Sequence, residues 1–129
     1  MRDGRVDDAL RLLSEAFRVN RELENTYRLP FIVCRFARAV AAKGMAGTAA
    51  RMLSCGQSLL DELGSSEDWM ERTNEETLSS IRTQLDEAAF AEAWEEGRKL
   101  TADEAVALAL DSLGEGAAGA RAGSRSRVV

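Results

Sequence analysis

Catalysis needs nucleophiles, acids, bases or ligands in workable pairs, and this chain of 129 residues offers few. It contains no histidine, so neither a serine–histidine nor a cysteine–histidine nucleophile pair is available. Its two cysteines, Cys34 and Cys55, fall in different expected helices and form no CxxC or metal-ligand spacing. They read as small buried apolar residues. Carboxylates come in adjacent pairs: Glu75–Glu76, Asp86–Glu87 and Glu95–Glu96. Neighbours on a helix point about 100° apart, so these pairs read as solvated surface. An acid/base pair would need one carboxyl buried with its proton held. The stretch Gly44-Met-Ala-Gly47-Thr48 is glycine-rich but lacks the lysine of a GxxxxGK[ST] phosphate loop. No catalytic residue, cofactor or metal is assigned, and an enzyme is not expected.

Binding chemistry is the remaining option. Arg35, Arg38 and Lys43 share one expected helix, and Arg35 and Arg38 mark a candidate interaction face. A solvated basic stripe is the plainer reading of the same residues. The formal charge is −5 and the isoelectric point about 4.9. Nucleic-acid binders concentrate positive charge to neutralise phosphate, so direct nucleic-acid binding is not expected. No apolar run approaches the roughly 20 residues that cross a bilayer. The N-terminus is charged from Arg2 onward and carries no secretory pattern. Without a disulfide framework, a reduced cytoplasmic setting is the expectation.

The elements that would position these residues are helices. Apolar residues make up 45% and charged residues 30% of the chain, with a single proline. Val6, Leu10, Leu13, Phe17 and Asn20 recur every three or four residues and predict a first helix over about Gly4 to Leu23. A second runs from about Arg28 to Lys43, with Pro30 in its first turn and Gly44 as a left-handed stop. A third spans about Met45 to Leu63, closed by Gly64. A polar linker, Ser65 to Asp68, leads to a stretch from about Asn74 to Glu96, either one bent helix or two with a break near Asp86. Thr101 and Glu104 form a capping box that opens a last helix with Ala105, Val106, Ala109, Leu110 and Leu113 on its buried side. Residues 1–113 are thus expected to form one helical domain. The Gly/Ala/Ser/Arg tail from Gly114 to Val129 is expected to be disordered.

An internal repeat links these helices. A shift of 40 residues places Gly4 on Gly44, Ala9 on Ala49, Arg11 on Arg51, Leu13 on Leu53, Ser14 on Ser54, Glu22 on Glu62 and Leu23 on Leu63. Periods of this size mark stacked helix pairs. The spacing Gly4, Ala9, Leu13, Ala16, and again Gly44, Ala49, Leu53, Gly56, resembles the second helix of a tetratricopeptide repeat, in degenerate form. The first-helix Trp and Tyr and the terminal proline of that repeat are missing.

The most specific text is the closing segment, with Phe90, Trp94, Gly97, Leu100, Thr101 and Glu104. It resembles the C-terminal end of LuxR-type and activator-type bacterial transcriptional regulators and of adenylate-cyclase-associated ATPases. Ala49-Ala50-Arg51-Met52-Leu53 resembles a run in the same proteins, and the likeness covers about Gly4 to Leu113. It implies an all-α, tetratricopeptide-like α-α superhelix with a C-terminal capping helix, in a protein-interaction or sensor module. The expected partner is an upstream ATPase or regulator domain, or a peptide. The alternative is a free-standing adaptor for a peptide or protein. The ATPase and DNA-binding motifs of the family are not in this chain, so it is expected to be the C-terminal piece of a larger regulator. In the closing segment, Phe90 and Trp94 sit one turn apart and are expected in the core. Gly97 is expected to end their helix in a left-handed turn, and Leu100 to staple onto Ala105.

Overall fold

The computed structural model describes residues 3–64 and 68–120, and every regular element among them is helical. In order these are α1 (Asp3–Glu22), α2 (Leu29–Ala42), α3 (Ala46–Leu63), α4 (Asp68–Gln84), α5 (Glu87–Gly97) and α6 (Ala102–Ala120). A 3-10 turn over Thr26–Arg28 leads into α2.

The helix ends follow from local chemistry. Pro30 sits in the first turn of α2, where its missing N–H is not needed. Gly44, at φ 86°, stops α2: its N–H donates to Ala41 O at 2.9 Å and the Met45 N–H donates to Val40 O at 3.2 Å. These two bonds satisfy carbonyls that the helix end leaves open. Helix α1 makes the same closure without a glycine. Glu24 lies at φ 61°, its N–H donating to Arg21 O at 3.1 Å, and the Asn25 N–H donates to Asn20 O at 2.9 Å. Forty residues on, Gly64 closes α3 at φ 70°. The 40-residue register of the sequence therefore reaches the caps. The same shift carries α2 onto residues 69–82, inside α4.

Helices α2 and α3 form the centre. They make the most extensive helix–helix contact, and α3 also packs against α4, α5 and α6. Val33, Phe36 and Val40 of α2 meet Met52 and Leu53 of α3 in the fully buried core, joined by Ile81 of α4. Each such side chain contributes about 1.5–3 kcal/mol through burial. The α2–α3 crossing is close at Gly56, where a methyl group would lie 2.6 Å from Cys34 Sγ. Helix α6 returns across α2 and α3 and buries Ala105, Val106 and Ala109 of the side expected from the sequence, whereas Leu113 is half-buried and Leu110, expected on that side, is 45% exposed. Its first turn is held to the end of α1 by Asp103, which accepts from Arg21 Nε at 2.8 Å and Nη2 at 2.6 Å.

Two boundaries differ from expectation. Helix α4 begins at Asp68, inside the stretch read as linker, while Ser65, Ser66 and Glu67 lie outside the described residues. The break near Asp86 is present, and Asp86 caps α5 by accepting the Ala89 N–H at 2.7 Å. Helix α6 continues past Leu113 to Ala120, through residues expected to be disordered. The rest of that tail, with Arg121, Arg125 and Arg127, lies outside the described residues.

Candidate functional site

The closing segment is a joint, built from residues the sequence singles out. The Phe90 and Trp94 rings stack with centroids 5.4 Å apart and an interplanar angle of 28°. Arg82 of α4 places its guanidinium 4.7 Å from the Phe90 ring centre, a cation–π contact. Both aromatics, expected in the core, are half-buried and packed against its edge. The face of α5 that turns inward is carried by Ala93 and Gly97 instead. Gly97 is corrected as well. It is the last helical residue of α5, and the left-handed glycines among the described residues are Gly44 and Gly64. Its role is close approach: a methyl group there would stand 2.2 Å from the Arg51 carbonyl oxygen. Around that contact, Arg51 Nε donates to Glu96 at 2.6 Å and Ser54 Oγ donates to the Trp94 carbonyl at 2.7 Å.

The capping box forms as expected. The Thr101 N–H donates to Glu104 Oε1 at 2.9 Å, and the Glu104 N–H donates to Thr101 Oγ1 at 3.1 Å. Leu100 is half-buried beside the core, and its carbonyl accepts from the Cys55 thiol at 3.3 Å. Burial pushes the Cys55 thiol up to about 11 and the Cys34 thiol up to about 12. Such thiols are poor nucleophiles near neutrality. Among the described residues no three His, Cys, Asp or Glu side chains gather as a metal site. No helix among them is long and apolar enough to cross a membrane. The adjacent carboxylates of Glu75–Glu76, Asp86–Glu87 and Glu95–Glu96 are exposed.

Arg35 and Arg38 lead to a different place, the open side of α1 and α2. Two concavities of about 540 and 470 Å³ meet there, sharing Leu13 and Arg35. The α1 wall is Val6, Ala9, Leu12, Leu13 and Ala16. The α2 wall is Phe31, Ile32, Ala39 and Ala42. Arg5, Arg28, Arg35 and Arg38 line it too, and among the described residues no carboxylate does. The structure thus brings Arg35 and Arg38 together on one groove, whereas Lys43, at the end of the same helix, bonds to Asp7 at 2.9 Å.

Sequence reasoning missed the α1 wall. Leu12 and Leu23 are each 66% exposed and Val19 is exposed too. Their spacing of seven and four residues puts Val19 and Leu23, the latter just past the end of α1, each within about 20° of Leu12 around the helix axis. Helix α1 therefore carries a second apolar stripe beside the one that packs on α2. The signal was present in the residues, but a search for one amphipathic stripe stops at Val6, Leu10, Leu13 and Phe17. No protein-family model matches the chain, and neither the curated proteins nor the solved structures give a significant match.

Proposed function

We propose that this chain is a protein-interaction module, that its contact surface is the α1–α2 groove, and that it serves as the C-terminal helical-repeat part of a bacterial transcriptional regulator or signalling ATPase. The reading of the interaction surface is carried by one observation: an open apolar groove lined, among the described residues, by four arginines and no carboxylate in a chain of net charge −5. Exposed apolar surface rimmed by polar groups is how a soluble domain presents a contact site. The regulator assignment rests on the resemblance of the closing segment and on the 40-residue register, which we read as degenerate tetratricopeptide-like repeats with α1 and α3 as their second helices, capped by α6. The partner is a protein segment, supplied by an ATPase or regulator domain.

Photo-crosslinking in the native cell tests the surface. A benzophenone amino acid at Leu12 is expected to capture a protein, and the same group at Glu75, on the exposed side of α4, is not. Capture at neither position, or equally at both, overturns the groove as the contact surface. Calorimetry supplies the second arm: tight ATP binding, or salt-resistant binding of duplex DNA, would replace this reading with a nucleotide or nucleic-acid function.

A further inference from the structure

The 40-residue register says what shape belongs in the groove. Under it α1 corresponds to α3 and α2 to α4, and the pair α3–α4 is already covered on one side by α2. The contact is direct at Gly56 of α3, which receives Cys34 and Pro30 of α2. Gly56 corresponds to Ala16, and Ala16 lines the open groove. Ala9, Leu12 and Leu13 of the groove correspond to Ala49, Met52 and Leu53, each with 0% of its surface exposed. Helix α1 thus presents the surface that α2 covers on α3, whereas Phe31, Ile32, Arg35 and Ala39 of the other wall correspond to Glu71, Arg72, Glu75 and Ser79, which are exposed. Among the described residues nothing occupies that surface of α1.

Charge says what the occupant carries. Arg5 and Arg38 flank one concavity and Arg28 the other. A helix entering between them is favoured by carboxylates beside its apolar stripe, and lysines at those positions meet like charge. We infer that the α1–α2 groove takes an amphipathic α-helix of a partner protein, with an acidic rim and a small residue opposite Ala16, seated on α1 as α2 is seated on α3. This rests on the reading of the groove as the contact surface. The helix-in-groove mode supplies affinity through apolar anchors at helical spacing, with rim charges selecting the partner. Helix α2 is 14 residues long and α1 is 20, so an occupant of about four turns matches the available length.

The test uses the full chain, labelled for amide NMR, and three synthetic peptides of about 16 residues. The first has leucines at every third and fourth position flanked by glutamates, with an alanine at its centre. The second replaces the glutamates with lysines, and the third keeps them but carries a central proline. The first is expected to bind at least about tenfold more tightly than either other, a gap of about 1.4 kcal/mol. Its shifts should be confined to α1 and α2. Arg5→Glu combined with Arg38→Glu is expected to reverse the preference between the glutamate and lysine peptides while circular dichroism stays unchanged. Leu12→Glu, at an exposed position that leaves the fold intact, is expected to abolish binding of all three.

Equal binding of the glutamate and lysine peptides, or of the proline peptide, overturns the acidic-helix inference and leaves the groove as a contact surface. Absence of binding by every peptide, with Leu12 still crosslinking a protein in cells, has the same effect. Loss of that crosslink removes both readings. Concentration-dependent groove shifts without peptide, with a dimer in sedimentation, make a second copy the occupant and overturn the partner-protein inference.

Discussion

At the level of single residues, Gly97 is the tightest contact in the closing segment. A side chain there would meet backbone, 2.2 Å from the Arg51 oxygen and 2.7 Å from its Cα, so no rotamer change relieves it. Helix α5 would have to lift from α3. Gly97→Ala is expected to lower stability by about 3 kcal/mol in urea denaturation, the upper range of overpacking. A loss below about 1 kcal/mol would show that the crossing is looser than drawn. The buried thiols give a pH signature. Burial raises Cys34 to about 12 and Cys55 to about 11, above the ordinary thiol value of 9.0. The folded chain therefore keeps its protons where the unfolded chain loses them. The stability this contributes is full below pH 9.0 and is lost as pH rises toward about 12. The urea midpoint is expected to fall between about pH 8 and pH 10.5, and to fall less in Cys34→Ala. An equal fall in both proteins would assign the effect to other groups.

At the level of elements, the caps carry the argument. Glu24 and Gly64 occupy the same place in the 40-residue register and both lie in the left-handed region, at φ 61° and 70°. A side chain there costs roughly 1–2 kcal/mol that glycine does not incur. Glu24→Gly is expected to raise the melting temperature, with a gain of about 1 kcal/mol; a decrease would mean that the glutamate side chain makes a compensating contact. At the other end of the chain, Thr101→Ala removes the acceptor for the Glu104 N–H and is expected to cost about 1 kcal/mol. The start of α6 was legible because a capping box is a local pattern, four residues long, that Thr101 and Glu104 satisfy without help from the rest of the fold. The helices and the Asp86 break were legible for the same reason. What escaped is what depends on neighbours. A glycine that ends a helix and a glycine that admits another backbone look alike in a sequence, so Gly97 was read as a stop. Trp94 shares a helix face with Phe90, but how far that face turns inward is set by α3 and α4. Arg35 and Arg38 were singled out as a candidate face, yet the groove they line needs α1 as its second wall.

At the level of the whole molecule, two positions 40 residues apart sit in different environments. Leu12 and Met52 are 40 residues apart, on corresponding helices, yet Leu12 is 66% exposed and Met52 is sealed. Helix α3 is enclosed by α2, α4, α5 and α6, whereas α1 packs chiefly on α2 and leaves the Leu12 stripe open. If fold stability were the reason for an apolar residue at this position, both sites would respond to truncation. They should not respond alike. Met52→Ala leaves a cavity among fully buried neighbours and is expected to cost about 2–5 kcal/mol. Leu12→Ala removes little buried area and is expected to stay within about 0.5 kcal/mol, the range of surface changes. The order reverses in a binding measurement: Leu12→Ala is expected to weaken capture of the glutamate-flanked helix while the fold is intact. Paired urea denaturations and peptide titrations of the two variants measure both halves. A Leu12→Ala loss comparable to that of Met52→Ala would place Leu12 in the core. An apolar residue that supports neither folding nor binding would leave the α1 stripe without a role in this molecule.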